Sequence, residues 1–159
     1  MTNNEVMRSV RYALEAKNRE VVAMIKAGGM ELSVLEVVDL LKNEEEEGFL
    51  ECPAETMHAF LDGLIYECRG PSDGPAKKFS TATINNNMIL RKLRIAFEMR
   101  DIDVVDILRD VGFTVSKSEI TALFRAPNHR HYMECGDQFL RNFLKGITRR
   151  FRESEAGEG

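Results

Sequence analysis

The sequence has no tryptophan and only four prolines, three cysteines and three histidines in 159 residues. Three cysteines without a Cys-x-x-Cys pair give neither a disulfide framework nor the usual zinc spacing, so reduced thiols in the cytoplasm are expected. No run of about 18 apolar residues occurs, which excludes a membrane-spanning helix. The start Met1-Thr2-Asn3-Asn4-Glu5 lacks a basic segment and an apolar stretch and does not read as a secretory signal. Also missing are a glycine-rich phosphate loop, a Gly-x-Ser-x-Gly turn and a Ser/His/Asp arrangement. These absences point away from catalysis, a cofactor or a small-molecule substrate and leave a protein that acts by binding. At 43% hydrophobic residues, the chain still has enough apolar material for one core or two small ones.

What the chain does have is an internal repeat. Asn3-Asn4, Arg8, Arg11, Ala13 and Glu15 recur as Asn86-Asn87, Arg91, Arg94, Ala96 and Glu98, an offset of 83 that holds without a gap from Asn3–Arg69 to Asn86–Arg152. Further identities in that register include Gly29/Gly112, Ser33/Ser116, Glu36/Glu119, Cys52/Cys135, Phe60/Phe143 and Gly63/Gly146. With two copies and a period longer than that of common solenoid units, a pseudo-twofold pair of modules is expected. Residues 1–70 form the first, 71–85 a Gly/Pro/Ser-containing linker, 86–152 the second, and 153–159 a disordered tail.

Each copy reads as about four helices, and no segment alternates like a strand, so the fold is all-α. Val6, Val10, Ala13 and Leu14 make an amphipathic stripe, matched by Ile89, Leu93, Ala96 and Phe97. Asn4 and Asn87 are the expected N-caps of these helices, Asn18 and Asp101 those of the next. Arg11 and Arg94 are expected to pair with Glu15 and Glu98 four residues on. Ser33-Val34-Leu35-Glu36 and Ser116-Lys117-Ser118-Glu119 are capping boxes opening a third helix. The fourth carries Met57, Phe60, Leu61, Leu64 and Ile65, or Leu140, Phe143, Leu144 and Ile147.

The copies differ in charge. Residues 1–70 hold 7 Lys/Arg against 14 Asp/Glu, and residues 86–152 hold 13 against 8, so one is acidic and the other basic. Equivalent loops show it best, Glu44–Glu47 standing where the second copy has Pro127-Asn128-His129-Arg130.

The Asn-Asn…Arg…Arg frame, the segment from Val115 to Pro127, the segment from Cys135 to Leu144 and the stretch Phe60-Leu61-Asp62-Gly63-Leu64-Ile65-Tyr66-Glu67 together resemble the YehS-like family of bacterial proteins. The resemblance spans nearly the whole chain and implies a small bacterial cytoplasmic protein built from this duplicated module. It implies no activity and carries over no catalytic residues.

Two binding readings follow. A protein-interaction reading takes the chain as a small adaptor or regulatory module whose acidic copy meets a basic partner, or the basic copy of a second chain. A nucleic-acid reading, for DNA or RNA, uses Arg91, Arg94, Lys117, Arg125, Arg130, Arg141, Lys145, Arg149, Arg150 and Arg152, of which Arg141, Lys145, Arg149 and Arg152 recur at helical spacing. The interaction module is the leading expectation. His129, His131 and Cys135 have metal-binding chemistry, but the first copy has Glu46, Gly48 and Cys52 there, so a polar loop without metal is expected. Cys52 and Cys135 stand at helix starts without a base and are expected to be small apolar cap residues rather than nucleophiles.

Overall fold

Ser33 and Ser116 each accept a hydrogen bond from the amide three residues on, and Glu36 and Glu119 reach back to the serine amides. These reciprocal caps start α3 (Val34–Leu40) and α7 (Lys117–Leu123) where the sequence places them. The computed structural model describes residues 1–71 and 80–158, the last four by backbone alone. Residues 72–79 of the expected linker and Gly159 of the expected tail lie outside the described residues. The described residues form eight helices and no strand, in two compact units, Met1–Ile84 and Asn85–Gly159.

The first unit contains α1 (Asn3–Leu14), α2 (Asn18–Ala27), α3 and α4 (Ala54–Arg69). The second contains α5 (Asn86–Ala96), α6 (Asp101–Asp110), α7 and α8 (Asp137–Glu158). The apolar stripes face inward as expected: Val6, Val10 and Ala13 of α1, Val21 and Ile25 of α2, and Met57, Phe60, Leu61 and Leu64 of α4 are buried. Their counterparts Ile89, Leu93, Ala96, Val104, Leu108, Leu140, Phe143, Leu144 and Ile147 are buried too. Removing a side chain of this size from water contributes roughly 1.5–3 kcal/mol, which outweighs the weak propensity of the seven-residue helices. Gly29 (φ 102°) and Gly112 (φ 78°) close α2 and α6 in the left-handed conformation. The amide after each then returns to an earlier carbonyl, Met30 to Ile25 (3.1 Å) and Phe113 to Leu108 (2.9 Å).

The Asn-Asn…Arg…Arg frame proves to be an internal clamp, not a cap. Thr2 and Asn85 cap α1 and α5, accepting from Glu5 and Met88. Asn4 and Asn87 lie further in, on the buried side. The Asn4 amide nitrogen donates to the carbonyls of Leu40 and Leu50 (2.9 Å each), and its oxygen accepts from the Cys52 amide (2.9 Å). Asn87 repeats this with Leu123 (3.1 Å), Met133 (2.9 Å) and Cys135 (2.9 Å). One side chain so ties the end of α3 or α7 to the far end of the following loop. Asn3 and Asn86 donate to the Cys52 and Cys135 carbonyls (3.1 and 3.0 Å). Arg8 and Arg91 donate to the carbonyls of Lys42 and Phe124.

Arg11 and Arg94 direct Nε to the carbonyls of Ala16 and Met99 (2.9 Å each), across the left-handed turns at Glu15 and Glu98 (φ 52°). That places Nε of each guanidinium on backbone beyond its own helix. The second helices also start a residue earlier than expected: Lys17 and Arg100 are the N-caps. There the N3 carboxylates of Glu20 and Asp103 accept from the cap amides.

The last helix of the second unit runs longer than its counterpart in the first. Gly70 (φ 83°) and Pro71 end α4, whereas the corresponding Glu153 and Ser154 contain no stop. Arg149 pairs with Glu153 one turn on (2.9 Å), and α8 continues to Glu158.

Gly63 makes a close helix crossing. A Cβ there would lie 1.6 Å from the Met24 carbonyl oxygen of α2, and one on Gly28 would lie 1.7 Å from that of Ala59 in α4. Gly146, the counterpart of Gly63, would first meet the Ile107 side chain at 2.3 Å. Val111 and Asn142 replace Gly28 and Ala59 in the second unit.

Candidate interaction surfaces

Outside the core, the two units share a backbone frame and differ in decoration. The loop after α3 is folded by bonds from Glu46 N–H to Asn43 O (3.0 Å), Phe49 N–H to Glu46 O (3.2 Å) and Leu50 N–H to Asp39 O (3.1 Å). The loop after α7 matches it: His129 to Ala126 (2.9 Å), Tyr132 to His129 (3.0 Å), Met133 to Ala122 (3.1 Å). On the first frame stand Glu44–Glu47, all exposed, with Lys42 holding the loop through Asp39 (2.8 Å) and the Glu47 carbonyl (2.9 Å). On the second stand exposed His129, Arg130 and His131.

α3 buries Val37 and Leu40 and turns Val34 and Leu35 outward, 52% and 69% exposed. Val38, one turn on, is half-buried, and Leu50, 42% exposed, has its amide on the Asp39 carbonyl in the last turn of α3. The corresponding residues of α7 are Lys117, Ser118 and Thr121, with Met133 at the Leu50 position. The helical wheel foretells this feature, since Leu35 falls about 160° from buried Val37. Reading the apolar run as a single stripe hides it.

The ten cationic residues of the nucleic-acid reading are spread over α5, α7, α8 and the loop after α7, and several are engaged within the unit. Arg94 pairs with Asp101 (2.8 Å) and stacks over Phe124 (4.2 Å to the ring centre). Arg91 donates to Phe124 O, and Arg130 Nε to His131 Nε2 (3.1 Å). The four residues of the expected stripe all lie on α8. Arg149 bonds Glu153 and the Asp110 carbonyl, and Arg152 is half-buried. Arg150, beside that stripe, pairs with Asp110 (2.9 Å). Arg141, Lys145, Arg149 and Arg150 are exposed on α8, as is Lys117 on α7, and Arg125 is half-buried.

Two of the three thiols, Cys52 and Cys135, are buried. Burial pushes Cys52 up to about 12, with Glu55 adding to it, and burial with Asp137 pushes Cys135 up to about 12. A thiolate is thus strongly disfavoured in both. His131 N–H donates to His129 Nδ1 (3.0 Å), and among the described residues no three His, Cys, Asp or Glu side chains are placed to hold a metal ion. No helix among the described residues is long and apolar enough to cross a membrane.

The clamp and the decorated loops are the setting for the relatives. The Escherichia coli (strain K12) protein described as uncharacterized protein YehS is 45% identical over 150 residues, covering 94% of this chain and 96% of the relative. No solved structure matches the chain. The family model described as protein of unknown function (DUF1456) matches twice, over residues 3–70 and 86–153, one match for each clamped four-helix repeat. The chain therefore belongs to the DUF1456 family, as a two-repeat, YehS-like member.

Proposed function

We propose that the protein is a cytoplasmic, non-enzymatic adaptor or regulatory module that acts by binding a partner protein. The observation that carries this reading is the contrast on one backbone frame: apolar and acidic side chains in the first unit, polar and basic ones in the second. Many of the residues that stay identical between the copies serve the fold: the clamp asparagines and arginines, the capping boxes, the turn glycines and the buried cysteines. Their repetition needs no catalytic explanation. Surfaces that diverge on a retained scaffold suit binding, where specificity comes from charge and shape at the rim and apolar contact at the centre.

Exposed Lys117, Arg141 and Lys145 favour a second reading, direct binding of DNA or RNA. The internal partners of Arg94, Arg149 and Arg150 weigh against it, because each ion pair leaves less charge for phosphate. The test is capture of the tagged protein from lysate, with and without nuclease, at low and moderate salt. A defined protein that survives nuclease supports the module. Nucleic acid whose removal strips away every protein, together with loss of capture in Arg141→Glu with Lys145→Glu, replaces it with the second reading.

A further inference from the structure

Besides Tyr12 on α1 and Tyr66 on α4, the large apolar side chains that the first unit exposes are Val34 and Leu35 on α3 and Leu50 after it. Val34 and Leu35 occupy its first turn, Val38 follows on the outward side, and Leu50 is held beside the helix by its bond to Asp39. Glu44–Glu47 follow α3 in the chain and are all exposed, while Glu31 pairs with Lys26 (3.8 Å) and Glu36 accepts from the Ser33 amide (3.1 Å). The second unit supplies an internal control. With the same capping box, the same loop bonds and the same buried asparagine, it places Lys117, Ser118 and Thr121 outward. The scaffold therefore does not require apolar residues there, and their exposure is a cost the first unit carries without a folding need.

We infer that the outward face of α3 with the Leu50 edge is the docking surface of the first unit, and that its occupant is a basic amphipathic segment of a partner protein. The inference rests on the adaptor reading and names its surface and partner chemistry. Apolar side chains of the segment cover Leu35 and its neighbours, and its lysines and arginines face the Glu44–Glu47 loop. A nucleic acid does not fit a surface followed by the carboxylates of that loop. A second copy of this chain offers basic residues at the equivalent face, but around Ser118 and Thr121 rather than around apolar side chains, so it satisfies the charge and not the apolar centre.

The test is selection of random 16-residue peptides displayed on phage against the full chain, read by sequencing. The comparison variant is Val34→Lys with Leu35→Ser, which installs the residues of the second unit at its own capping box and keeps the fold by the precedent of α7. Circular dichroism confirms that it is folded. The inference predicts enriched peptides that combine Lys or Arg with Leu, Phe or Ile at helical spacing. Their affinity falls at least about tenfold in the double variant, the size expected on losing a central apolar anchor. Amide shifts on adding a selected peptide fall on Val34, Leu35, Val38 and Leu50. Acidic peptides, peptides that bind the variant equally well, shifts on α8, or no enrichment overturn it. Concentration-dependent sedimentation of the wild type that vanishes in the variant assigns the surface to a second copy and also overturns it. These outcomes are separable from failure of the adaptor reading, which is decided by nuclease and by Arg141→Glu with Lys145→Glu.

Discussion

Replacing Asn4 with alanine removes three hydrogen bonds at 2.9 Å from a side chain only 1% exposed. Each such bond contributes about 0.5–1.5 kcal/mol net, and a buried group left unsatisfied costs about 1–3 kcal/mol. The Leu50 contact is only part-buried, so water recovers some of the loss there. The expected destabilisation is about 2–4 kcal/mol, large for a small unit. Asn87→Ala should cost slightly less, because that residue is 8% exposed and one of its bonds is 3.1 Å. Asn4→Asp separates hydrogen bonding from size. Its carboxylate faces two carbonyl oxygens in a buried place, which raises its pKa above the ordinary value of about 3.9. A group with a raised folded pKa gives its stability below the unfolded pKa and loses it as pH rises. Asn4→Asp should therefore be the worse variant at pH 7 and recover towards acid relative to Asn4→Ala. The assay is urea unfolding by far-ultraviolet circular dichroism, as the chain has no tryptophan, with hydrogen exchange to locate the loss in residues 1–71. A loss below about 1 kcal/mol for Asn4→Ala, close to that of the exposed control Asn128→Ala, refutes the clamp.

Gly63→Ala should destabilise by about 3 kcal/mol because its Cβ runs into the Met24 backbone, and Gly146→Ala by less because the nearest backbone atom there, the Ile107 oxygen, is 2.9 Å away rather than 1.6 Å; thermal melts compare them. Thiol labelling at neutral pH should modify Cys68, which is exposed, and spare Cys52 and Cys135 until the chain unfolds. Both buried thiols hold their protons more tightly when folded, so their contribution is complete below the ordinary value of 9.0 and is lost as pH rises towards about 12. Stability should fall over that window by at most about 1.4 kcal/mol per pH unit for each thiol. A Cys52→Ala, Cys135→Ala chain whose alkaline slope is unchanged would refute this.

The helical repeat was legible because its signals are local: capping serines with glutamate three residues on, glycines after α2 and α6, and apolar stripes of period 3.6. The role of Asn4 and Asn87 was not. An asparagine before an apolar stripe looks the same whether it caps its own helix or reaches carbonyls 36 and 46 residues away. Thr2, two residues earlier, is the better cap, and Glu5 at its N3 position was the clue. Spacing puts Arg149 in line with Arg141 and Lys145 but does not reveal Asp110 on the neighbouring helix, whose carbonyl accepts from Arg149 and whose carboxylate pairs with Arg150. Val34 and Leu35 were hidden among apolar neighbours, and only the burial of Val37 and Leu40 on the other side exposes them as surface.

The most direct test of the account compares nuclease-treated capture by two variants of the full chain. Val34→Lys with Leu35→Ser should lose the defined partner protein, and Arg141→Glu with Lys145→Glu should keep it. The opposite pattern, with capture depending on the α8 cations and indifferent to the α3 face, would contradict the account and make the second unit the working surface.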